Sequence, residues 1–159
     1  MYYTIQNNNL IIAENEQALT RFYDNVLPLP NDYEKGKYIV EDGQLVLNPD
    51  WEEEQEAKRE ADFKSKFFNI EGFGWYRKQP KGYQSAVESM NVLFNIANVS
   101  DGIQAGLIIF YQAPDFSKPE ECTEEWLIEH QIIQGAMTKA EFMALYVAFM
   151  TAWNTEEHK

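Results

Sequence analysis

Between Glu52 and Glu60 this chain of 159 residues carries a single apolar residue, Ala57. A helix buries a face only where apolar side chains recur every three or four positions, so this stretch reads as a solvated helical connector. It separates two parts that are each rich in apolar residues. With 45% hydrophobic and 14% aromatic residues, the chain is far too apolar to stay disordered. The pattern predicts an α+β protein: a β-rich module over residues 1–49, a charged connector helix over 50–68, and a helix-rich module with a short strand over 69–159.

In the first module, Tyr2, Tyr3 and Ile5 face Leu10, Ile11 and Ile12 across Asn7-Asn8-Asn9, a residue type that tolerates the positive φ of tight turns. A helix is expected from Asn15 as N-cap, its stripe made of Leu19, Phe22, Tyr23 and Val26, with Pro28 and Pro30 stopping it. Asp42-Gly43 between two short apolar runs predicts a second hairpin. Asp50 with Glu53 forms a capping-box-like start to the connector, and Glu54/Lys58 and Glu60/Lys64 are favourable i,i+4 pairs.

In the second module, residues 72–82 read as an irregular loop. Ser85 with Glu88 and Thr138 with Glu141 are capping boxes that open helices. The first carries Val87, Met90, Phe94 and Ala97; the second runs through Trp153 and is apolar almost all round, which predicts burial on several sides or an oligomer seam. Residues 107–111 suggest a buried strand, and 123–131 a helix holding Trp126 and Leu127.

The formal net charge is −13, and only residues 65–90 are net basic, with four bases against two acids. Such an exterior disfavours nucleic acid and anionic membrane, which are bound through Lys and Arg, and favours a basic protein partner. The lone Cys122 excludes an intrachain disulfide and fits a reducing compartment. Met1 leads straight into a strand-like run, so no signal peptide is expected, and the longest apolar stretch is too short to span a bilayer. The cytoplasm of a bacterial host, or a particle assembled there, is the expected location.

Candidate chemistry is sparse. Cys122 and His130 stand eight residues apart without a third soft ligand, and His158 lies next to the end, so neither a zinc site nor a thiol dyad is expected. Glu120, Glu121, Glu124, Glu125 and Glu129 gather at one helix start, where the helix dipole accounts for them without a calcium loop. No phosphate-binding glycine motif occurs, and no cofactor is expected. The one concentration of recognition residues is Phe73, Trp75, Tyr76, Arg77, Lys78, Lys81 and Tyr83. Aromatic planes among cations anchor protein interfaces or stack on ligands. The competing reading is that the aromatics plug the core while the cations are solvated loop charges.

The stretch MYYTIQNNNLIIA…YIVEDGQLVLNPDWEEEQEAKRE, about residues 1–60, resembles the short N-terminal modules of small proteins encoded among bacteriophage tail and tail-fibre genes. The resemblance implies a phage or prophage origin and a role beside the virion. With the residue-level reading, it leads to the expectation of a non-enzymatic protein acting by contacts with phage tail proteins or with copies of itself. The alternative is an acidic anti-defence inhibitor of the anti-CRISPR kind, whose glutamates at 120–129 and 52–56 would block a basic nucleic-acid channel of a host protein.

Overall fold

A computed structural model describes residues 1–157, and the chain divides into two compact units, Met1–Gln55 and Glu56–Lys159. The architecture is α+β, as the sequence patterns imply, with five α-helices and small antiparallel sheets among the described residues.

In the first unit β1 (Tyr2–Gln6) and β2 (Asn9–Ala13) form a hairpin with Ile5 opposite Leu10 and Tyr3 opposite Ile12. The turn is shorter than expected. Asn7 and Asn8 alone form it, both at positive φ (53° and 62°), which suits the two-residue loop that matches strand twist, and Asn9 already pairs with Gln6. Helix α1 (Glu16–Thr20) is capped by Asn15, whose side chain accepts from the Ala18 amide at 2.9 Å. The longer helix expected through Val26 does not form: Leu19 is buried, but Phe22 is 77% exposed. A long-range pairing wins over the local stripe. The chain ahead of Pro28 is biased toward extended backbone, and β3 (Leu27–Pro28) pairs with β1 as an outer strand, where a residue without an N–H is tolerated.

Strands β4 (Tyr38–Glu41) and β5 (Gln44–Leu47) close over Asp42 and Gly43, again both at positive φ, as the Asp-Gly signal implies. Before them, Tyr38 donates its hydroxyl to Asp32 Oδ1 at 2.7 Å, and Lys37 Nζ lies 3.0 Å from Asp32 Oδ2. Of residues 1–55, only Thr4, Leu19 and Trp51 are buried. The core of this unit is thin.

Helix α2 (Trp51–Lys66) supplies its first residues to this unit and the remainder to the second. Its solvated reading is corrected in one respect. Trp51 and Phe63 are buried, and between them Gln55 and Arg59 are withdrawn from solvent at the same four-residue spacing, whereas Ala57 is exposed. Long polar side chains bury their stems where an apolar count finds no stripe. Arg59 Nε donates to the Phe116 carbonyl at 2.7 Å. The Gln55 amide nitrogen is buried without a hydrogen-bond partner, which costs about 1–3 kcal/mol. The Glu60–Lys64 pair forms at 2.7 Å, and Glu54 accepts from the Asn48 amide.

In the second unit β6 (Phe67–Ile70) follows α2 directly, and β7 (Gly74–Arg77) returns beside it with Phe68 opposite Tyr76. The irregular loop expected over 72–82 is thereby corrected in part: the chain turns at Gly72, φ 85°, Gly74–Arg77 is strand, and only residues 78–82 are irregular. Helix α3 (Ala86–Ser100) starts at Ser85, whose hydroxyl accepts from the Glu88 amide at 3.2 Å. It leads into β8 (Gly102–Ile103) and β9 (Ile109–Phe110). Helix α4 (Glu124–Glu129), capped by Thr123, is followed by β10 (Ile132–Ile133), β11 (Met137–Thr138) and α5 (Lys139–Glu157).

Strand β10 pairs with β9, and β11 with β8. Tyr111, just past β9, exchanges two backbone hydrogen bonds with Trp75 of β7, at 2.7 and 3.2 Å. Strands β6, β7, β9 and β10 therefore run as one antiparallel series. Side chains alternate across it. One face, including Phe68, Ile70, Tyr76 and Phe110, packs with Met90 of α3 and Phe142, Leu145 and Phe149 of α5. The other face, with Phe67 and Tyr111, packs with Phe63 of α2 and Leu127 of α4. Both faces are covered.

Helix α5 is buried on one stripe rather than all round. Phe142, Leu145 and Phe149 are fully buried, whereas Val147 is 62% exposed and Ala144, Thr151 and Asn154 share its outward face. Among the described residues no helix is long and apolar enough to cross a membrane.

Candidate functional site

The basic–aromatic segment singled out in the sequence is pulled apart by the alternation of β7. Tyr76 points into the larger core, where burial, with a smaller contribution from Tyr111, pushes its phenol up to about 12. Trp75 lies on the opposite face, edge-on to Phe63 with ring centroids 5.0 Å apart. Phe73, in the turn, stacks on Phe110 at 6.2 Å. These three aromatics serve the cores. Lys78 is occupied by Glu156 at 2.7 Å. Lys81 and Tyr83 stand in solvent, Tyr83 being 87% exposed.

Arg77 joins this segment to the acidic one. Its guanidinium lies over the rings of Phe67 (4.9 Å) and Tyr111 (4.6 Å) and forms an ion pair with Glu124 at the first turn of α4. Burial opposes the Arg77 charge, but the interactions with Tyr111 and Glu124 outweigh it and raise the pKa. Of the other clustered acids, Glu121 lies 3.5 Å from Lys118, while Glu120, Glu125 and Glu129 are exposed. The two candidate surfaces thus meet at one ion pair, and the free acidic face is smaller than the sequence suggests.

Cys122 and His130 have different partners. The Cys122 thiol lies 3.4 Å from the Lys118 carbonyl and 3.7 Å from that of Asp115, and burial pushes its pKa up, away from the reactive thiolate. The His130 ring stacks on Trp126 with centroids 4.1 Å apart, and its Nδ1 is 2.8 Å from the Trp126 carbonyl. His158 lies outside the described residues. No group of three or more potential metal ligands occurs among the described residues.

A concave site that sequence reasoning missed sits beside Arg77. A groove of about 340 Å³ opens between β7, β9 and α3. Its apolar wall includes Val92, Leu93 and Ile96 of α3 with Leu107 and Ile109, and Arg77 and Lys81 stand along it. This volume falls in the range of ligand-holding clefts. Part of this wall meets solvent: Val92 is 44% exposed, Ile96 38% and Leu107 47%. Of its lining only Tyr76, Arg77 and Lys81 belong to the segment singled out in the sequence, because the walls come from stretches scattered over residues 76–111.

No family model matches the sequence, and neither a curated protein nor a solved structure is significantly similar to it.

Proposed function

We propose that this protein is a non-enzymatic interaction protein of phage or prophage type, tail-associated or engaged in tail-fibre assembly, acting in the bacterial host cytoplasm or on the virion. The observation that carries the contact role is the partly exposed apolar wall of the groove, made by Val92, Ile96 and Leu107. Large apolar side chains gathered at a polar-rimmed cleft mark sites of protein contact. The resemblance of residues 1–60 to tail-gene modules supplies the phage setting.

Affinity capture from lysate of a bacterium producing the phage tests this reading. Tail or fibre proteins, or further copies of this chain, are the expected partners, and Leu107→Asp is expected to release them at least tenfold. Capture of a nucleic-acid-handling enzyme, released when Glu120, Glu125 and Glu129 are replaced by Gln, would instead establish the anti-defence alternative. Turnover of a substrate abolished by Cys122→Ser would sink both.

A further inference from the structure

We propose that β2 is the seam along which two copies of this chain join, edge to edge, into one continuous antiparallel sheet. This names a partner for the contact role above and rests on that reading, although the surface belongs to the first unit and shares no residue with the groove. Among the described residues the sheet runs β2-β1-β3, so β2 has a strand on one side only. In an antiparallel ladder the N–H and C=O of one residue point to the same side, and the side alternates along the strand. Leu29 N donates to the Met1 carbonyl at 2.9 Å, so Met1 and Tyr3 turn their backbones toward β3. Tyr2, Thr4 and Gln6 then turn toward β2, where they meet Ala13, Ile11 and Asn9. That leaves Leu10 and Ile12, each with donor and acceptor directed away from β1.

The two edges of this sheet differ. Strand β3 has only two residues, and Pro28, whose backbone faces outward by the same parity, has no N–H to offer. Short length, proline and charge are the usual guards against edge pairing. Strand β2 has none of them: its five residues, Asn9–Ala13, include no proline and no charged side chain, and Ile12 is 37% exposed.

The strand also fits itself. With Ile11 on a two-fold axis, Leu10 of each copy lies opposite Ile12 of the other, and these are the residues whose backbone groups point outward. Each such pair exchanges both of its hydrogen bonds, the basis of recognition by strand addition, and the contact closes on itself as a two-fold interface must. In this register Asn9 meets Ala13 and Asn8 meets Glu14, so no carboxylate stands opposite another, although each copy carries a net charge of −13. The unit has reason to associate. Of residues 1–55 only Thr4, Leu19 and Trp51 are buried, and small units short of a core gain stability by oligomerising.

The test is amide hydrogen exchange on the full chain, read residue by residue by NMR from micromolar to millimolar concentration, with salt added to screen the like charges. The Leu10 and Ile12 amides are expected to exchange about tenfold more slowly at the higher concentration, together with a doubling of mass in sedimentation. Ile12→Lys, at an exposed side chain, and Ile12→Pro, which removes only an outward-facing N–H, are each expected to abolish both effects. Continued protection of the Ile11 amide in these variants shows the hairpin intact. Leu10 and Ile12 amides that exchange equally fast at every concentration overturn the proposal. So does a dimer that survives Ile12→Lys, or one whose protection falls on Leu45 and Leu47 of β5 instead. Capture of tail proteins that is released by Leu107→Asp would still support the contact role in that event, so the two proposals fail separately.

Discussion

The phenol of Tyr76 shows how much a single buried group can report. It sits among Phe68, Phe110 and Phe149, at 6.1, 6.1 and 5.9 Å between ring centroids, and ionises only at about 12 rather than near 10. The folded chain therefore keeps a proton that the unfolded chain releases. Stability from this group is complete below about pH 10 and is lost as the pH rises through 10 to 12, a loss of roughly 2–3 kcal/mol at the top of that window. Urea melts of the native protein between pH 9 and pH 12 are expected to show the decline, and Tyr76→Phe is expected to flatten it by that amount. An equally steep decline in the variant would show that the hydroxyl is not held in the core. Arg77 is the contrasting case, a charge kept inside by two aromatic faces and one carboxylate.

Among the elements, β8 and β11 meet so closely that one position admits only glycine. A Cβ on Gly102 would stand 2.6 Å from the Met137 carbonyl oxygen, at a φ of 152° that other residues rarely adopt. Gly102→Ala is expected to cost about 1–3 kcal/mol, read from a shift of the thermal midpoint; an unchanged midpoint would deny the close approach. The elements legible in the sequence are those specified locally. Thr138 and Glu141 satisfy each other's backbone amides at 3.2 and 3.4 Å, and the paired Asn and Asp-Gly turns adopt the positive φ their side chains permit. What escaped reading depends on distant partners. Strand β7 looked like a loop because glycines flank it and because a sheet covered on both faces shows no alternation of polar with apolar residues. Helix α1 was read too long because β3 is claimed by β1. The groove was illegible for the same reason, since β7, α3 and the approach to β9 each supply only a few of its residues.

Over the whole molecule, buried side chains are unevenly shared. Residues 1–55 bury Thr4, Leu19 and Trp51, whereas the second unit encloses two aromatic-rich cores. Native-state hydrogen exchange is expected to find the slowest amides in β6, β7 and α5 and much faster exchange throughout β1, β2, β4 and β5, since few buried contacts hold those hairpins. Equal protection in both units would contradict this. Charge is distributed just as unevenly: Lys64, Lys66, Arg77, Lys78 and Lys118 are all engaged in ion pairs, so the surplus of acids meets solvent largely unopposed. Ionic strength then sorts the encounters this molecule can have. Added salt shields like-charged copies from one another and lets their apolar patches touch, so this molecule meets copies of itself more readily in brine than in dilute buffer.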